Sequence, residues 1–162
     1  MHVDRKAFDR LFEESFDDCD LAENFGFFVE DYVLFDDDSH ERYVEALREL
    51  PPLIRRLYLA FIAQIAVQGD GFQTYFSQID KEDLMDETVT GLRLLSRDAA
   101  ADAYERARNY PAFRTTDSRV SIVEPTSSEI HSAYFGAFGD DFWGDLGRHL
   151  REHRGTALNT RR

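Results

Sequence analysis

The sequence holds a single cysteine, has no long apolar run and is short of basic charge. Cys19 alone cannot close an internal disulfide, so a disulfide-stapled fold is excluded. The longest uninterrupted apolar stretch near the middle of the chain is Leu57 to Ala63, well short of the about 20 residues a bilayer crossing requires. The opening MHVDRKAFD lacks the apolar segment of a secretory leader, and with the lone cysteine it makes a cytoplasmic location the expectation. Nineteen Lys+Arg stand against 32 Asp+Glu, a formal charge of −13 and a pI near 4.7. Such a balance argues against direct nucleic-acid binding and against an anionic membrane surface, since both select for positive charge. What is present is apolar material: 43% hydrophobic residues, including 14 Phe and 7 Tyr, enough for a packed core in 162 residues and incompatible with wholesale disorder.

The acidity is concentrated along the chain. Residues 1–50 hold 16 acids and 5 Lys+Arg, a balance of −11, whereas residues 51–162 hold 16 acids and 14 Lys+Arg, a balance of −2. Asp9, Glu13 and Asp17 recur every four residues, followed by Asp18, Asp20, Glu30, Asp31 and the run Asp36, Asp37, Asp38. At about 1.5 Å rise per residue, −11 over one continuous helix is one net charge per roughly 7 Å. Three acidic helices side by side reach roughly one per 2 to 3 Å, near the one per about 1.7 Å of duplex DNA.

Periodicity predicts helices throughout. Phe8, Leu11, Phe12 and Phe16 fall at i, i+3, i+4 and i+8, an amphipathic helix of about four turns. A Phe-rich segment over residues 21–35 follows, read as helix with a strand near its end as the alternative, and Ser39 is the N-cap of a helix burying Tyr43, Val44, Leu47 and Leu50. Pro51 and Pro52 end it and open the next, whose residues Leu53 to Val67 leave almost no polar face and form the central buried helix. Gly69 and Gly71 mark a C-cap and sharp turn. Phe72, Tyr75, Phe76 and Ile79 begin another helical pattern, followed by helices around Leu84 to Leu95 and Asp98 to Asn109. Pro111 opens an irregular stretch in which Val120, Ile122 and Val123 suit a short extended piece. A short helix follows, broken by Gly136 and Gly139, and then a closing helix carrying Phe142, Trp143, Leu146 and Leu150. The expected fold is all-α, a single-domain multi-helix bundle of about eight helical segments. Residues 1–50 form acidic helices packed on a core spanning 51–154, and 155–162 form a frayed tail.

In order, the chain thus shows an apolar helix, GDGFQTYF at Gly69–Phe76, ETVTGLRLL at Glu87–Leu95, an Ala-rich helix and a closing DDFWGDLGRHLREH. Over roughly Leu50 to His153 this resembles a largely uncharacterised bacterial domain family that includes a DNA-mimic protein, in which a turn of the type NGGF-x-Q-F/Y-F follows the apolar helix. Gly69, Gly71, Phe72, Tyr75 and Phe76 are the structural motif of the match. Asp70 stands where the family usually has Gly, and Ser77, Gln78, Ile79 and Asp80 replace the polar turn that often follows. The resemblance implies a helical fold and, for the DNA-mimic member, a carboxylate-covered surface that occupies the DNA site of a transcription regulator.

No catalytic, cofactor or metal set is expected. The GDGF turn lacks the Lys and Ser/Thr of a phosphate loop and carries Asp70 where an anion would sit. Glu129 and His131, two apart, face different directions on a helix. His149 and His153 have the i, i+4 spacing of zinc ligands, but Leu150 occupies the Glu position of HExxH, and these residues read as the basic end of a C-terminal helix. Cys19 sits among acids that raise its pKa, and Asp36–Asp38 lack the order of a calcium loop. The expected function is a non-enzymatic acidic protein-interaction domain, monomer or homodimer, with no cofactor. Its Asp9, Glu13, Asp17, Asp18, Asp20, Glu30, Asp31 and Asp36–Asp38 engage a basic partner, in the leading form the DNA-binding face of a regulator. The alternatives are an immunity or antitoxin protein blocking a basic toxin, and an enzyme built on a His/Glu site.

Overall fold

The computed structural model describes residues 3–33, 39–115, 126–139 and 141–159. Among these there are nine α-helices, one short 3-10 turn and no strand. The helices are α1 (Arg5–Glu14), α2 (Asp18–Val33), α3 (His40–Glu49), α4 (Pro52–Gly69), α5 (Phe72–Gln78), α6 (Glu82–Leu94), α7 (Asp98–Arg108), α8 (Thr126–Phe138) and α9 (Phe142–His153). The fold is all-α, as the periodicity predicts. By contact the chain forms two compact units, Met1–Tyr58 with Asp141–Arg162, and Leu59–Asp140.

In the first unit, Asp4 caps α1 by accepting the Lys6 N–H at 2.8 Å, and Phe8 and Phe12 are buried. The helix is shorter than the four turns predicted. It stops at Ser15, and Phe16, expected on the buried face, is 97% exposed. The cause is local competition for the backbone: the Asp20 carboxylate accepts the Phe16 N–H at 2.9 Å, while Asp17 accepts the Asp20 N–H at 2.9 Å and so starts α2. Short acidic side chains that cap a new helix outcompete continuation of the old one. Helix α2 packs against α9 and against α1, burying Leu21, Ala22, Phe25 and Val29, and α9 buries Leu146 and Leu150. Ser39 caps α3 as predicted, its hydroxyl accepting the Arg42 N–H at 3.3 Å, and Val44, Leu47 and Leu50 are buried. Residues 155–159, expected to fray, continue in turns: the Thr156 and Ala157 N–H groups donate to the His153 carbonyl, and Ala157 is fully buried.

Helix α4 begins with Pro52 at its first position and buries Ile54, Leu57, Tyr58, Leu59, Ala60, Phe61, Ala63 and Val67. Its burial is not complete: Ile62 and Ala66 are half-buried and Ile65 is 48% exposed. The turn after it is resolved in favour of one glycine. Gly71 has φ +84° and precedes α5, and its N–H donates to the Ala66 and Val67 carbonyls at 3.1 and 3.2 Å, while Gly69 remains helical. Gly71→Ala is therefore expected to cost about 1 kcal/mol or more, because an L side chain is strained at that φ. Its Cβ would also lie 3.3 Å from His131 Nε2. Gly69→Ala, with nothing within 4 Å of the new methyl, should be neutral or stabilise by up to about 1 kcal/mol. Urea unfolding of the two variants checks the contrast.

In the second unit α5 carries Phe72, Tyr75 and Phe76 into an aromatic core. Phe72 is fully buried, with ring centroids of Tyr134, His131, Phe113 and Phe76 at 4.9, 5.2, 5.4 and 5.8 Å. Helix α6 packs on α7 and α7 on α8. The Tyr75 hydroxyl shares a 2.8 Å hydrogen bond with Thr88, whose hydroxyl reaches the Leu84 carbonyl. Helix α8 is longer than predicted. It passes through Gly136 without breaking and ends at Gly139, whose φ is +62°. The expected extended piece at Val120, Ile122 and Val123 lies outside the described residues.

Candidate interaction surface

The predicted partner-binding acids divide by what holds them. Asp9 accepts from Arg154 Nε at 2.9 Å and from Arg5 Nε at 3.0 Å. These two guanidiniums, Arg154 first, hold its carboxyl below the usual carboxylate range. Arg154 also lies 4.8 Å over the Phe12 ring. Asp18 accepts from Arg151 Nε at 2.7 Å. Asp17 and Asp20 serve the turn between α1 and α2. Glu30 is half-buried, and burial, with Asp31 second, pushes its pKa up. Glu13 is exposed, 4.0 Å from Arg154, and Asp31 is exposed. Asp36, Asp37 and Asp38 lie outside the described residues. Asp9 and Asp18 thus join the two ends of the chain within the first unit.

Those ion pairs change how the charge is distributed. The −11 against −2 asymmetry belongs to the linear chain. In the fold, Met1–Tyr58 with Asp141–Arg162 hold 19 acids and 12 Lys+Arg, a net −7, and Leu59–Asp140 hold 13 acids and 7 Lys+Arg, a net −6. Arg151 on α9 and Arg154 just after it return positive charge to Asp18 and Asp9 of the N-terminal helices, while Arg148 pairs with Asp145 and Asp141 of its own segment. In the second unit Arg108 pairs with Asp86 at 2.6 Å and Glu82 at 3.1 Å, and Arg114 with Glu82 at 2.9 Å.

Two helices carry rows of exposed carboxylate, some on residues not singled out in the sequence. Helix α3 exposes Glu41, Glu45 and Glu49 at i, i+4 and i+8, and α2 exposes Glu23 and Asp31 on one stripe. Within the α2 stripe, at the intervening i+4 position, Phe27 is 67% exposed, and Phe16 stands just before the helix. Helices α2 and α3 pack against each other. The exposed aromatics were hidden from sequence reading because a Phe-rich segment reads as core on every face. Cys19 is exposed, and its thiol is pushed up by partial desolvation and then by Asp17, Asp141, Asp18 and Glu23.

The histidines separate as well. His131 Nδ1 lies 3.0 Å from the Ser127 carbonyl, its ring packs on Phe72 and Phe113, and Glu129 is exposed. His149, Glu152 and His153 do come together: one donor atom from each lies within 4.8 Å of the others. An open groove of about 530 Å³ beside α7 and α8 is lined by Asp102, Glu105, Arg106, Asn109, Tyr110, Thr126 and Ile130, among which there is no histidine or cysteine. Among the described residues no helix is long and apolar enough to cross a membrane.

Comparison with known proteins adds the lineage. No curated protein and no solved structure matches the chain. A family model described as DMP19-like protein matches residues 48–156, from the last two residues of α3 to the turns after α9, and leaves α1, α2 and the rest of α3 outside the match. With about two thirds of its length in that match, and with the GDGFQTYF turn and aromatic core inside it, the chain belongs to the DMP19-like protein family.

Proposed function

We propose that this chain is a non-enzymatic acidic binding protein that occupies the basic DNA-binding face of a protein regulator. The observation that carries the reading is the exposed stripe Glu23, Phe27, Asp31 on α2 together with the exposed Glu41, Glu45, Glu49 row on α3, two helices that pack against each other. The α3 carboxylates, four residues apart, stand about 6 Å apart along the helix axis, and the two on α2, eight residues apart, about 12 Å. Either row alone is sparser than the phosphates of a DNA strand, at about 3.4 Å, and the two counted together come to about one charge per 4 Å. Phe27, two-thirds exposed between these acids, offers apolar area that desolvates on binding, and protein interfaces are enriched in such aromatics. Membership of a family that includes a DNA mimic supports the same direction; the match itself begins at the last two residues of α3 and leaves out α1, α2 and Glu41 and Glu45 of α3.

The mechanism is competition. Carboxylates on α2 and α3 take the Lys and Arg positions that otherwise neutralise phosphates, so the chain and DNA exclude each other and salt weakens both. Affinity capture from the native lysate at about 0.1 M and 1 M salt, across which the Debye length falls from about 10 Å to about 3 Å, tests it. The comparison is a variant carrying Glu23→Gln, Asp31→Asn, Glu41→Gln and Glu45→Gln, with and without Asp36–Asp38 changed to Asn. A DNA-binding protein recovered at low salt and lost from the variant is the expected result. Identical capture by both chains, or acidic partners alone, contradicts the reading. A basic nuclease in place of a regulator overturns the regulator assignment while leaving the charge mechanism standing.

A further inference from the structure

We propose that His149, Glu152 and His153 form a binding site for a divalent transition-metal ion of the zinc, nickel or copper class. The three residues stand at i, i+3 and i+4 on α9, the positions that share one face of a helix, and a donor atom from each lies within 4.8 Å of the other two. Two imidazoles and one carboxylate are a borderline nitrogen and oxygen donor set, which favours these ions over calcium and magnesium.

The surroundings prepare the donors. His153 Nδ1 lies 3.0 Å from the His149 carbonyl oxygen, which can only accept. Nδ1 therefore carries the proton and leaves the Nε2 lone pair for a metal, the orienting contact that metal-bound histidines ordinarily make through their second nitrogen. His149 Nε2 is buried and has no hydrogen-bond partner, so no protein donor occupies it. The two rings stack with centroids 4.2 Å apart and planes at 23°, and two imidazolium charges that close repel. The neighbouring cations have carboxylates of their own: Arg148 pairs with Asp145 at 2.6 Å, Arg151 with Asp18 at 2.7 Å and Arg154 with Asp9 at 2.9 Å. Holding one ion requires each ring to turn about its Cβ–Cγ bond so that both lone pairs meet it, with Glu152 as third ligand and water completing the shell.

In HExxH the carboxylate at the position of Leu150 is a general base and not a ligand, so its absence leaves metal binding open; Glu152, next to His153 on the same face, offers a carboxylate ligand. The site lies within the family match and is independent of the acidic rows on α2 and α3.

Calorimetric titration of the untagged, chelator-treated chain with zinc chloride tests the assignment, with magnesium and calcium chloride as comparison titrants. One equivalent of zinc that survives a hundredfold excess of magnesium, with affinity at least tenfold weaker in His153→Gln, is the expected result. Glu152→Gln should weaken binding less, and zinc should raise the melting temperature of the wild type but not of His153→Gln. Because His149 is half-buried, His149→Gln is included only if its helical circular dichroism matches the wild type. Equal zinc binding by wild type and folded His153→Gln, displacement of zinc by magnesium, or no binding at millimolar zinc each overturns the site.

Discussion

Gly147→Ala is expected to lose about 3 kcal/mol of stability, the upper end of the usual cost of overpacking, although it adds only one methyl group. A Cβ at this position on α9 would overlap the carbonyl of Asp18 and lie 2.7 Å from its Cα. What it meets is backbone, at the first residue of α2, and that residue is held in place. Asp17 caps the helix through the Asp20 N–H, and Arg151 grips the Asp18 carboxylate. Relief requires α2 and α9 to separate, which gives up burial of Leu21, Phe25, Leu146 and Leu150. Two neighbouring glycines provide the comparison. Gly144→Ala first meets the Asp141 side chain, which can swing aside, and Gly136→Ala on α8 meets nothing within 4 Å and should stabilise by up to about 1 kcal/mol. Urea unfolding of the three variants checks the order. A Gly147→Ala protein as stable as wild type would mean that the two helices do not approach at this residue.

Phe72→Ala should be at least as costly, at about 3 to 5 kcal/mol, because it opens a cavity in a core that cannot collapse around it. The ring is fully buried and meets Phe76, Tyr104, Phe113, His131 and Tyr134 with centroids between 4.9 and 6.3 Å. At about 2 to 4 °C per kcal/mol for a chain of this size, the melting temperature should fall by roughly 6 to 20 °C. Near-ultraviolet circular dichroism should lose intensity, since several of these contacts orient the tyrosines. Phe135→Ala, at a ring 39% exposed, should change far less. Equal effects from the two would show that Phe72 is not the centre of the cluster.

The helices were legible because their signals are local. The apolar positions of α4, the Ser39 cap and the glycine turn before Phe72 each lie within a few residues of what they determine. Periodicity overreached at Phe16: its i+8 spacing fits a helix, but the capping carboxylates of Asp17 and Asp20 end that helix first. The same holds in reverse at Gly136, where neighbouring apolar contacts at Tyr134 and Phe138 carry α8 past a residue of low helix propensity. The interaction surface was less legible for a reason of distance. Arg151 and Arg154 reach Asp18 and Asp9 across 133 and 145 residues, and no window of sequence shows which acids they neutralise. Exposure of Phe27 was equally hidden, since only the packing of α1, α3 and α9 decides which face of a Phe-rich helix is covered.

The most direct test of the proposed role is a displacement titration. Fluorescently labelled duplex DNA is bound to the DNA-binding partner recovered by capture, and this chain is added while anisotropy is followed. Competition predicts release of the DNA to its free value. The variant carrying Glu23→Gln, Asp31→Asn, Glu41→Gln and Glu45→Gln should require at least tenfold more protein for half release, and added salt should narrow the difference. DNA that stays bound while this chain joins the complex, or equal release by wild type and variant, would contradict occupation of the DNA-binding face by these carboxylates.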